Sequence, residues 1–384
     1  MRFKQLHPGL MAICAAVFLL GWWAAFVGPT TAYRTLAYNF SGIDDYRIFP
    51  HRLMTASARP FQFAEGAGIA NSAPRVDFGG RKDVSLSELL AKTGTTAFLA
   101  VQNGRIIVES YHDGYDRATP SMSFSMAKSF FSVLTGCALA DGYLKSIDQP
   151  VTDYVPELRS QGFAAVTLKH LLQMTSGIDY AETGMPLGIH VRYYYTDHLE
   201  QEILKLTLKE PPGTRFEYKS GDVFLLTLAL KRALGNKSIT EYMQERLWRP
   251  LGMEHDGIWS IDHAPDGLEK TGCCLAATAR DFAKFGMLYL NKGTWEGRQI
   301  VPADWVHAST QADMSIGSAW NYQRMWWKVD QNRPDFMANG HLGQFLYVNP
   351  IAGVVIVRLG KGMGGLNRGE WTQVFISLSE GLTK

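Results

Sequence analysis

A serine and a lysine stand three residues apart where a helix is predicted to begin, in the single Ser-x-x-Lys segment of the chain, Ser125 to Lys128. An apolar run follows and ends just before Gly142, and glycine is typical of a helix end. Residues i and i+3 share one face of a helix, so the Lys128 ammonium is expected to reach the Ser125 hydroxyl. Lysine can deprotonate a hydroxyl when burial or nearby cations keep it neutral. The pair therefore predicts a nucleophilic serine with its own base.

A tyrosine and a second serine form the next candidate group, Tyr218 and Ser220, in a loop that leads from a Pro-Pro-Gly turn into a predicted helix. A tyrosine there could share a proton with Lys128 and carry it to a leaving group, if nearby cations lower its pKa. The Ser220 hydroxyl could join the same relay. The alternative is an ordinary half-buried tyrosine beside a helix N-terminus.

The third candidate is His341, which lies between Gly340 and Gly343 in a segment predicted as strand, 336–348. Glycines let a backbone approach a substrate closely at a strand edge. Two Lys-Thr-Gly triplets, at 92–94 and 270–272, match a known catalytic triplet better by composition. The second of them leads into two cysteines and a helix, whereas His341 is followed by a return strand. Context therefore favours His341.

The elements that must position these groups are predicted at both ends of the chain. Segments 95–102 and 105–112 flank Asn103-Gly104, a strong signal for a type I′ hairpin. Residues 147 to about 275 have mostly helical patterns, strands return at 325–329, 336–348 and 354–359, and a last helix covers about 370–382. This order predicts an α+β fold, with one antiparallel sheet built from both ends, helices packed on it, and an all-helical insertion. A crevice between sheet and insertion would hold the site.

Taken together, the Ser-x-x-Lys, Tyr-x-Ser and His-x-Gly motifs resemble the serine β-lactamase and penicillin-binding-protein superfamily, in its class C-like esterase branch. The likeness runs from about residue 85 to the C-terminus. Several details, including 178–180, 325–327 and the Tyr-x-Ser itself, resemble the 6-aminohexanoate-dimer hydrolase type. The resemblance implies a serine hydrolase that cleaves an ester or linear amide through a Ser125 acyl-enzyme, with no cofactor and no metal.

The resemblance also implies roles for individual residues. Lys128 and Tyr218 would move protons, Ser220 and His341 would support them, and the backbone N–H groups of Ser125 and Gln344, the latter beside Gly343, would hold the oxyanion. The aromatic residues expected to line an apolar cleft are Tyr180, Trp326, Trp327 and Phe345.

Two departures from the lactamase pattern bear on the substrate. Ser220 stands where lactamases carry asparagine, and His341 where they carry lysine, so small esters and linear amides are expected to be better substrates than penicillins. The alternative function is a membrane-tethered receptor for a β-lactam or cell-wall peptide, including a D-Ala carboxypeptidase type, that is acylated with little turnover.

The N-terminal segment predicts export or anchoring. No Asp, Glu, Lys or Arg occurs between Lys4 and Arg34, and residues 10–27 are nearly all apolar, long enough to span a bilayer. Arg2 and Lys4 favour a cytoplasmic N-terminus. Residues 1–32 are therefore either an uncleaved anchor or a signal peptide cut after Ala32. Both readings place a lead-in (33–80) and a hydrolase domain (81–384) on the periplasmic side.

Composition adds limits on partners. The 384 residues carry a net charge of +2 and 46% hydrophobic residues, enough for one large core, and no basic block of the kind that binds nucleic acid. Nothing in the sequence indicates an oligomeric state. Cys137, Cys273 and Cys274 have no metal-site spacing, and adjacent cysteines rarely pair, so all three are predicted to be small buried apolar residues.

Overall fold

The computed structural model of the protein describes residues 8–66, 74–185 and 188–382. The helices are α1 Pro8–Val27, α2 Pro29–Tyr38, α3 Leu86–Lys92, α4 Met126–Ala140, α5 Leu168–Leu172, α6 Ile189–Tyr195, α7 Leu199–Ile203, α8 Ser220–Ala233, α9 Ile239–Met243, α10 Ala279–Leu290, α11 Ala303–Thr310 and α12 Arg368–Gly381. The strands are β1 His51–Met54, β2 Ala64–Glu65, β3 Arg75–Phe78, β4 Arg81–Ser85, β5 Thr95–Gln102, β6 Arg105–Tyr111, β7 Ser121–Met122, β8 Gly257–Ser260, β9 Leu275–Ala277, β10 Thr294–Trp295, β11 Arg298–Gln299, β12 Tyr322–Gln323, β13 Trp326–Lys328, β14 Phe336–Gly340, β15 Gln344–Asn349 and β16 Val354–Gly360.

One eight-stranded sheet forms the centre of the molecule, in the order β12-β13-β14-β15-β16-β5-β6-β2. The pairing of β16 with β5 is antiparallel and joins the two ends of the chain, which confirms the predicted α+β architecture. The edge strand β2 is the exception to the antiparallel pattern, because it pairs with β6 in parallel. At the β5–β6 turn, Asn103 and Gly104 both have positive φ, as a type I′ turn requires.

Both faces of the sheet are covered, and the alternation of side chains along the central strands shows it. On β16, Val355 and Val357 belong to the larger core beneath α4 and α10, whereas Val354 and Ile356 belong to a second core beneath α12. Successive strand residues point to opposite faces, so a strand buried on both sides is apolar throughout. The sheet is therefore a rigid middle layer on which α4, the helix behind Ser125, is seated.

The helical insertion and the lead-in differ from their predicted forms. The described residues between Val151 and Trp248 are helical or in loops, but β8 falls inside the range predicted as all-helical, 147–275. It forms a second sheet, in the order β1-β8-β9-β7, with a strand of the lead-in. The lead-in is also not simply extended, since it contains part of α2 and the strands β1 to β3. Sequence periodicity missed β1 and β2 because each is only a few residues long and its pairing partner, β8 or β6, is distant in the chain.

The segment predicted as one strand over 336–348 is also different. It is a hairpin of β14 and β15, with a 3₁₀ turn at His341–Gly343 and pairing of Gly340 with Gln344. Leu342 in this turn has a φ of +60° and Gly343 a φ of +78°. His341 therefore lies at a turn, and not within a strand.

The segment after α1 packs against the main domain. Tyr46 and Phe49 share a small apolar cluster with Phe124, and Leu342 packs at its edge. Arg34 on α2 donates a hydrogen bond to the Tyr195 carbonyl at 3.1 Å. Among the described residues, no single helix is long and apolar enough to cross a membrane, but the bent pair 11–27 and 29–38, at an angle of 117°, meets the criteria of length and composition together.

The cysteine prediction is right for Cys137 and wrong for the pairing of Cys273 and Cys274. Cys137 is fully buried, as expected, but Cys273 and Cys274 form a disulfide between adjacent residues. The general rarity of such pairs is the reason that sequence reasoning rejected it. The disulfide lies directly after Gly272, whose carbonyl belongs to the candidate site described next.

Candidate active site

The Ser125–Lys128 pair is formed within the first turn of α4. Ser125 is the residue that precedes Met126, the first residue of the helix, and Lys128 Nζ donates a hydrogen bond to Ser125 Oγ at 2.9 Å. Phe124, just before the serine, has a φ of +46°, a sparsely populated conformation for a bulky residue. Such strain is typical of functional turns because the surrounding fold must hold it in place.

Lys128 is almost completely buried, with an exposed fraction of 1%. Its Nζ atom also donates to the Gly272 carbonyl at 2.7 Å and lies 5.2 Å from the centre of the Tyr218 ring. One side-chain oxygen, of Ser125, and one backbone oxygen, of Gly272, therefore hold Lys128 Nζ between the nucleophile and the tyrosine. This arrangement brings the first two sequence motifs together.

Tyr218 is half-buried in an aromatic group at the end of its loop. Its ring lies 5.6 Å from that of Trp327 and 5.8 Å from that of Tyr322, and the Arg368 guanidinium lies 4.4 Å from the ring centre of Trp327. The aromatic walls restrict the ring to a narrow range of orientations. Tyr218 is therefore positioned beside Lys128 by contacts from the sheet and from α12.

Ser220 lies in the first turn of α8 and contacts a carboxylate that the sequence motifs do not include. Glu182 Oε2 accepts a hydrogen bond from the Ser220 backbone N–H, and Oε1 accepts one from its hydroxyl, both at 2.7 Å. Burial alone would raise the pKa of Glu182, but the hydrogen bond from His190 and the charge of Lys128 outweigh it and lower the pKa to about 2. The available signal was proximity in sequence, since Glu182 follows Tyr180 by two residues.

His341 closes the site from the sheet side. Its ring meets the Phe124 ring edge-on, with centres 5.5 Å apart, and both burial and the neighbouring His190 lower its pKa. Gly340 explains the close fit, because a Cβ atom there would lie 2.1 Å from the Ser123 carbonyl oxygen. The hairpin can therefore approach the nucleophile turn only with glycine at this position.

Gly343 and Gln344 have structural contacts that sequence reasoning did not foresee. The Gly343 carbonyl accepts a hydrogen bond from the buried Arg358 at 2.6 Å. The Gln344 side chain is fully buried and donates to the carbonyls of His341, at 3.1 Å, and Gly360, at 2.7 Å. These bonds fix the shape of the turn that carries His341. The role of the Gln344 backbone N–H in an oxyanion hole stays a prediction.

The four aromatic residues predicted to line a cleft have different positions. Trp327 is half-buried beside Tyr218. Trp326 is fully buried and stacks on Tyr289, with ring centres 4.3 Å apart, and Phe345 is buried on the opposite face of the sheet against Phe375. The prediction is wrong for Trp326 and Phe345. Adjacent strand residues point to opposite faces of the sheet, and both of these side chains point into a buried core instead of a cleft.

Tyr180 does not line a cleft either, since only 1% of it is exposed. Its hydroxyl lies 3.1 Å from His190 Nδ1, and its ring packs where a side chain on Gly221 would collide. Tyr180 therefore supports the site from behind. In the part of the chain that the structure describes, no group of three or more His, Cys, Asp or Glu side chains could hold a metal ion.

Comparison with known families agrees with this geometry. The family model described as Beta-lactamase matches residues 86–377, which is most of the chain. The chain belongs to the beta-lactamase family. The match begins at α3 and ends within α12, so it includes the sheet, the insertion and the residues gathered around Ser125. The resemblance read from the sequence motifs is confirmed.

Two curated proteins of known name are similar to this chain in sequence. The 6-aminohexanoate-dimer hydrolase of Paenarthrobacter ureafaciens is 26% identical over 346 residues, covering 83% of this chain and 87% of the relative. A beta-lactamase of Escherichia coli (strain K12) is 27% identical over 240 residues, covering 56% and 59%.

Two solved structures have a similar fold. A Bacillus anthracis structure, named provisionally as a 6-aminohexanoate-dimer hydrolase, has a TM-score of 0.79 and 24% identity over 91% of this chain and 95% of its own. A family VIII carboxylesterase has a TM-score of 0.58 and 18% identity over 74% and 92%. The chain thus has the beta-lactamase fold, and the proteins similar to it include one named a 6-aminohexanoate-dimer hydrolase and, in fold, a carboxylesterase.

Proposed function

We propose that the protein is a serine hydrolase that cleaves an ester or linear amide through an acyl-enzyme on Ser125. The observation that carries the proposal is the 2.9 Å hydrogen bond between Lys128 Nζ and Ser125 Oγ, made by a lysine that is 1% exposed. A buried amine that touches a hydroxyl is the arrangement that activates a serine nucleophile. Tyr218, next to the same amine, supplies a second proton carrier.

The proposed reaction has two balanced halves. Ser125 Oγ forms a bond to the carbonyl carbon and gives its proton to the Lys128–Tyr218 pair, which passes it to the leaving alcohol or amine as that bond breaks. Water then attacks the acyl carbon, the pair takes a proton from it, and Ser125 Oγ leaves and recovers that proton. The products are a carboxylic acid and an alcohol or amine.

The tetrahedral oxyanion would be held by the backbone N–H groups of Ser125 and Gln344. Support for this part comes from Gly340, which pairs with Gln344 in the hairpin and lies against the Ser123 carbonyl. The hairpin is thereby held within contact distance of the nucleophile turn. The N-terminus of α4 adds its positive dipole at the same position.

The proposed substrates are small esters and linear amides, with weaker action on β-lactams. Ser220 and His341 occupy the positions where lactamases of this family carry asparagine and lysine, and the names of the Paenarthrobacter hydrolase and the carboxylesterase denote an amide dimer and carboxylic esters. In addition, the Ser220 hydroxyl donates its hydrogen to Glu182, so this hydrogen is not available to bind the amide of a β-lactam.

A fluorophosphonate probe tests the mechanism directly. We expect the full-length protein in detergent to be labelled once per chain and the Ser125→Ala variant to be unlabelled and inactive. Ser129→Ala is a matched control, because Ser129 lies on the same helix but donates to the Met325 carbonyl at 2.6 Å inside the core. Labelling that persists in Ser125→Ala would reject Ser125 as the nucleophile.

A substrate panel tests the proposed class. We expect turnover of p-nitrophenyl butyrate and of linear amides to exceed that of nitrocefin. A large preference for nitrocefin would contradict the proposal. One burst of product without a steady state would favour the receptor function, in which the chain is acylated and released slowly.

We also propose that residues 10–27 anchor the protein, with the hydrolase domain on the extracytoplasmic side of the membrane. Support comes from the charge-free apolar helix α1 and from the two basic residues before it, Arg2 and Lys4. Fractionation of producing cells tests this location. Full-length chain in the membrane pellet agrees with an anchor, a soluble form that starts near Tyr33 indicates a cleaved signal peptide, and recovery in the cytosol rejects both.

A further inference from the structure

The Glu182 carboxylate lies beside Ser220 at the site, and the acyl-transfer scheme above gives it no role. It makes two 2.7 Å hydrogen bonds to Ser220 and lies 3.4 Å from His190 Nδ1, with 21% of its side chain exposed. A partly buried carboxylate is costly unless its charge is used by neighbours. Its neighbours here are the first residue of α8 and, within Coulombic range, Lys128.

The bond to the Ser220 hydroxyl determines what that hydroxyl can do. A serine hydroxyl has one hydrogen and two acceptor lone pairs, and here the hydrogen is given to Glu182. The Ser220 oxygen can then act only as an acceptor toward the groups that move protons. The same carboxylate also accepts the Ser220 backbone N–H, so it fixes the end of the helix that follows the Tyr218 loop.

The charge of Glu182 affects the other half of the site. When Ser125 gives up its proton, positive charge accumulates on the Lys128–Tyr218 pair, and a nearby carboxylate stabilises that charge. Glu182 does this without touching Lys128, whose hydrogen bonds go to Ser125 and Gly272. It therefore differs from a salt-bridge partner, which would hold the ammonium away from the serine.

We propose that Glu182 is a positioning residue for acyl transfer, which makes the Ser220 hydroxyl oxygen a hydrogen-bond acceptor and supplies the counter-charge for the proton that leaves Ser125. His190, on α6, holds the carboxylate from its other side. The proposal rests on the proposed serine-hydrolase function and extends it to a residue outside the three motifs.

Several other ionisable groups face this region. They come from α4, from the loop before α8, from α6 and the segment before it, from β12 and from the β14–β15 turn: Lys128, Tyr218, His190, Tyr180, Tyr322 and His341. Histidine side chains in general change charge between pH 5 and 8, and two of these groups are histidines, of which His341 has its pKa lowered by burial and by His190. A variant at Glu182 must therefore be compared over the whole pH range, and not at one pH.

Glu182→Gln separates charge from shape, because the amide keeps the size and one acceptor oxygen. We expect kcat/KM for p-nitrophenyl butyrate to fall about tenfold to a hundredfold, mostly in kcat, as for loss of one charged hydrogen-bond partner. Removing the negative charge makes protonation of the Lys128–Tyr218 pair less favourable. The ascending limb of the pH profile of kcat/KM should therefore move to lower pH.

Glu200→Gln is the matched control. Glu200 lies in the same insertion, and its partner is the partly exposed Arg232, at 2.8 Å, away from Ser125. We expect its rate and pH profile to equal those of the unmodified protein. A Glu182→Gln variant that is folded and has an unchanged kcat and pH limb would overturn the proposal, as would an equal loss in Glu200→Gln.

Two further measurements keep the test decisive. If Glu182→Gln fails to fold, Ser220→Ala removes the hydroxyl bond alone and leaves the Glu182 charge in place. It should lower kcat by a smaller factor and leave the ascending pH limb unmoved; an unchanged kcat in this variant rejects the proposal. Labelling of Ser125 by fluorophosphonate in the unmodified protein is scored separately. Its absence rejects the serine-hydrolase function itself, whereas labelling with normal Glu182→Gln kinetics rejects only the role of Glu182.

Discussion

The two halves of the candidate site are built in contrasting ways. The helix half, Ser125 and Lys128, is contained within one turn of α4 and is joined by a hydrogen bond over three residues. The insertion half brings Glu182 to Ser220 across 38 residues, and neither belongs to a pattern that specifies the other. Local geometry thus supplies the nucleophile and its base, while tertiary packing supplies the groups that tune them. Substitutions in the helix half should accordingly abolish activity, whereas substitutions in the insertion half should reduce it by degrees.

Replacing Lys128 with methionine should produce the largest effect. The change keeps most of the buried volume but removes the amine that touches Ser125 Oγ, so we expect kcat/KM to fall by about 10⁴-fold or more. Steady-state kinetics with p-nitrophenyl butyrate measures it. Lys145→Met, at an exposed position just beyond α4, is the control and should be neutral. A loss for Lys128→Met of less than tenfold would contradict the assignment of the base.

Tyr218→Phe should cause a smaller loss. The ring contacts with Trp327 and Tyr322 survive, and only the hydroxyl that carries the proton is removed, so we expect kcat to fall about 10²- to 10⁴-fold. Tyr289→Phe tests the same chemical change in the core, where the ring stacks on Trp326. If Tyr218→Phe lowers kcat/KM more than Lys128→Met does, the helix half is not the more sensitive half of the site, and the comparison between the two halves fails.

A stability effect should come from Asp222, a second carboxylate of the insertion half. Asp222 is fully buried, and burial raises its pKa to about 7, although Lys219 and the hydrogen bond from Ser176 oppose the shift. The folded state therefore holds this proton more tightly than the unfolded chain. Its contribution to stability is complete below about pH 4 and is lost as the pH rises through about 7.

Asp222→Asn should remove that pH dependence, because an amide has no charge to bury. We expect the variant to be more stable than the unmodified protein at pH 8.5, by on the order of 2 kcal/mol, and the difference to shrink toward pH 5. Thermal denaturation at the two pH values measures it. Glu157→Gln, a surface change at the Arg232 ion pair, should show no such trend. A difference that grows toward pH 5 would refute the sign of the Asp222 shift.

The smallest expected effect concerns the Cys273–Cys274 disulfide. Because it joins adjacent residues, it closes almost no loop and limits the unfolded chain very little, so reduction should change the melting temperature only slightly. We expect melting with and without dithiothreitol to agree within about 2 °C, by the same loop-entropy argument. A Cys273→Ser/Cys274→Ser double variant controls for the reagent. A shift of many degrees in both would contradict this expectation.

The sequence predicted the parts of the fold and site that depend on near neighbours. The Asn103-Gly104 hairpin, the Ser125–Lys128 spacing and the helix that follows it all result from local conformational rules. Glu182 was missed because its partner Ser220 lies 38 residues away, and proximity to Tyr180 in sequence does not by itself indicate that contact. Trp326 and Phe345 were misplaced for a related reason, since the side of the sheet that a residue faces depends on register, which a short apolar run does not specify.

The pairing of β5 with β16 has a consequence for how the protein is made. Arg358 on β16 donates a hydrogen bond to Thr95 on β5, a residue 263 positions earlier in the chain. Contacts over such separations carry a high loop-closure cost and slow the folding of a domain. During synthesis, α4 therefore emerges long before the strands β14 to β16 that cover it. The strands that α4 contacts, β14 and β15, are made more than 190 residues after it, so a chain that stops before residue 336 carries Ser125 and Lys128 without them.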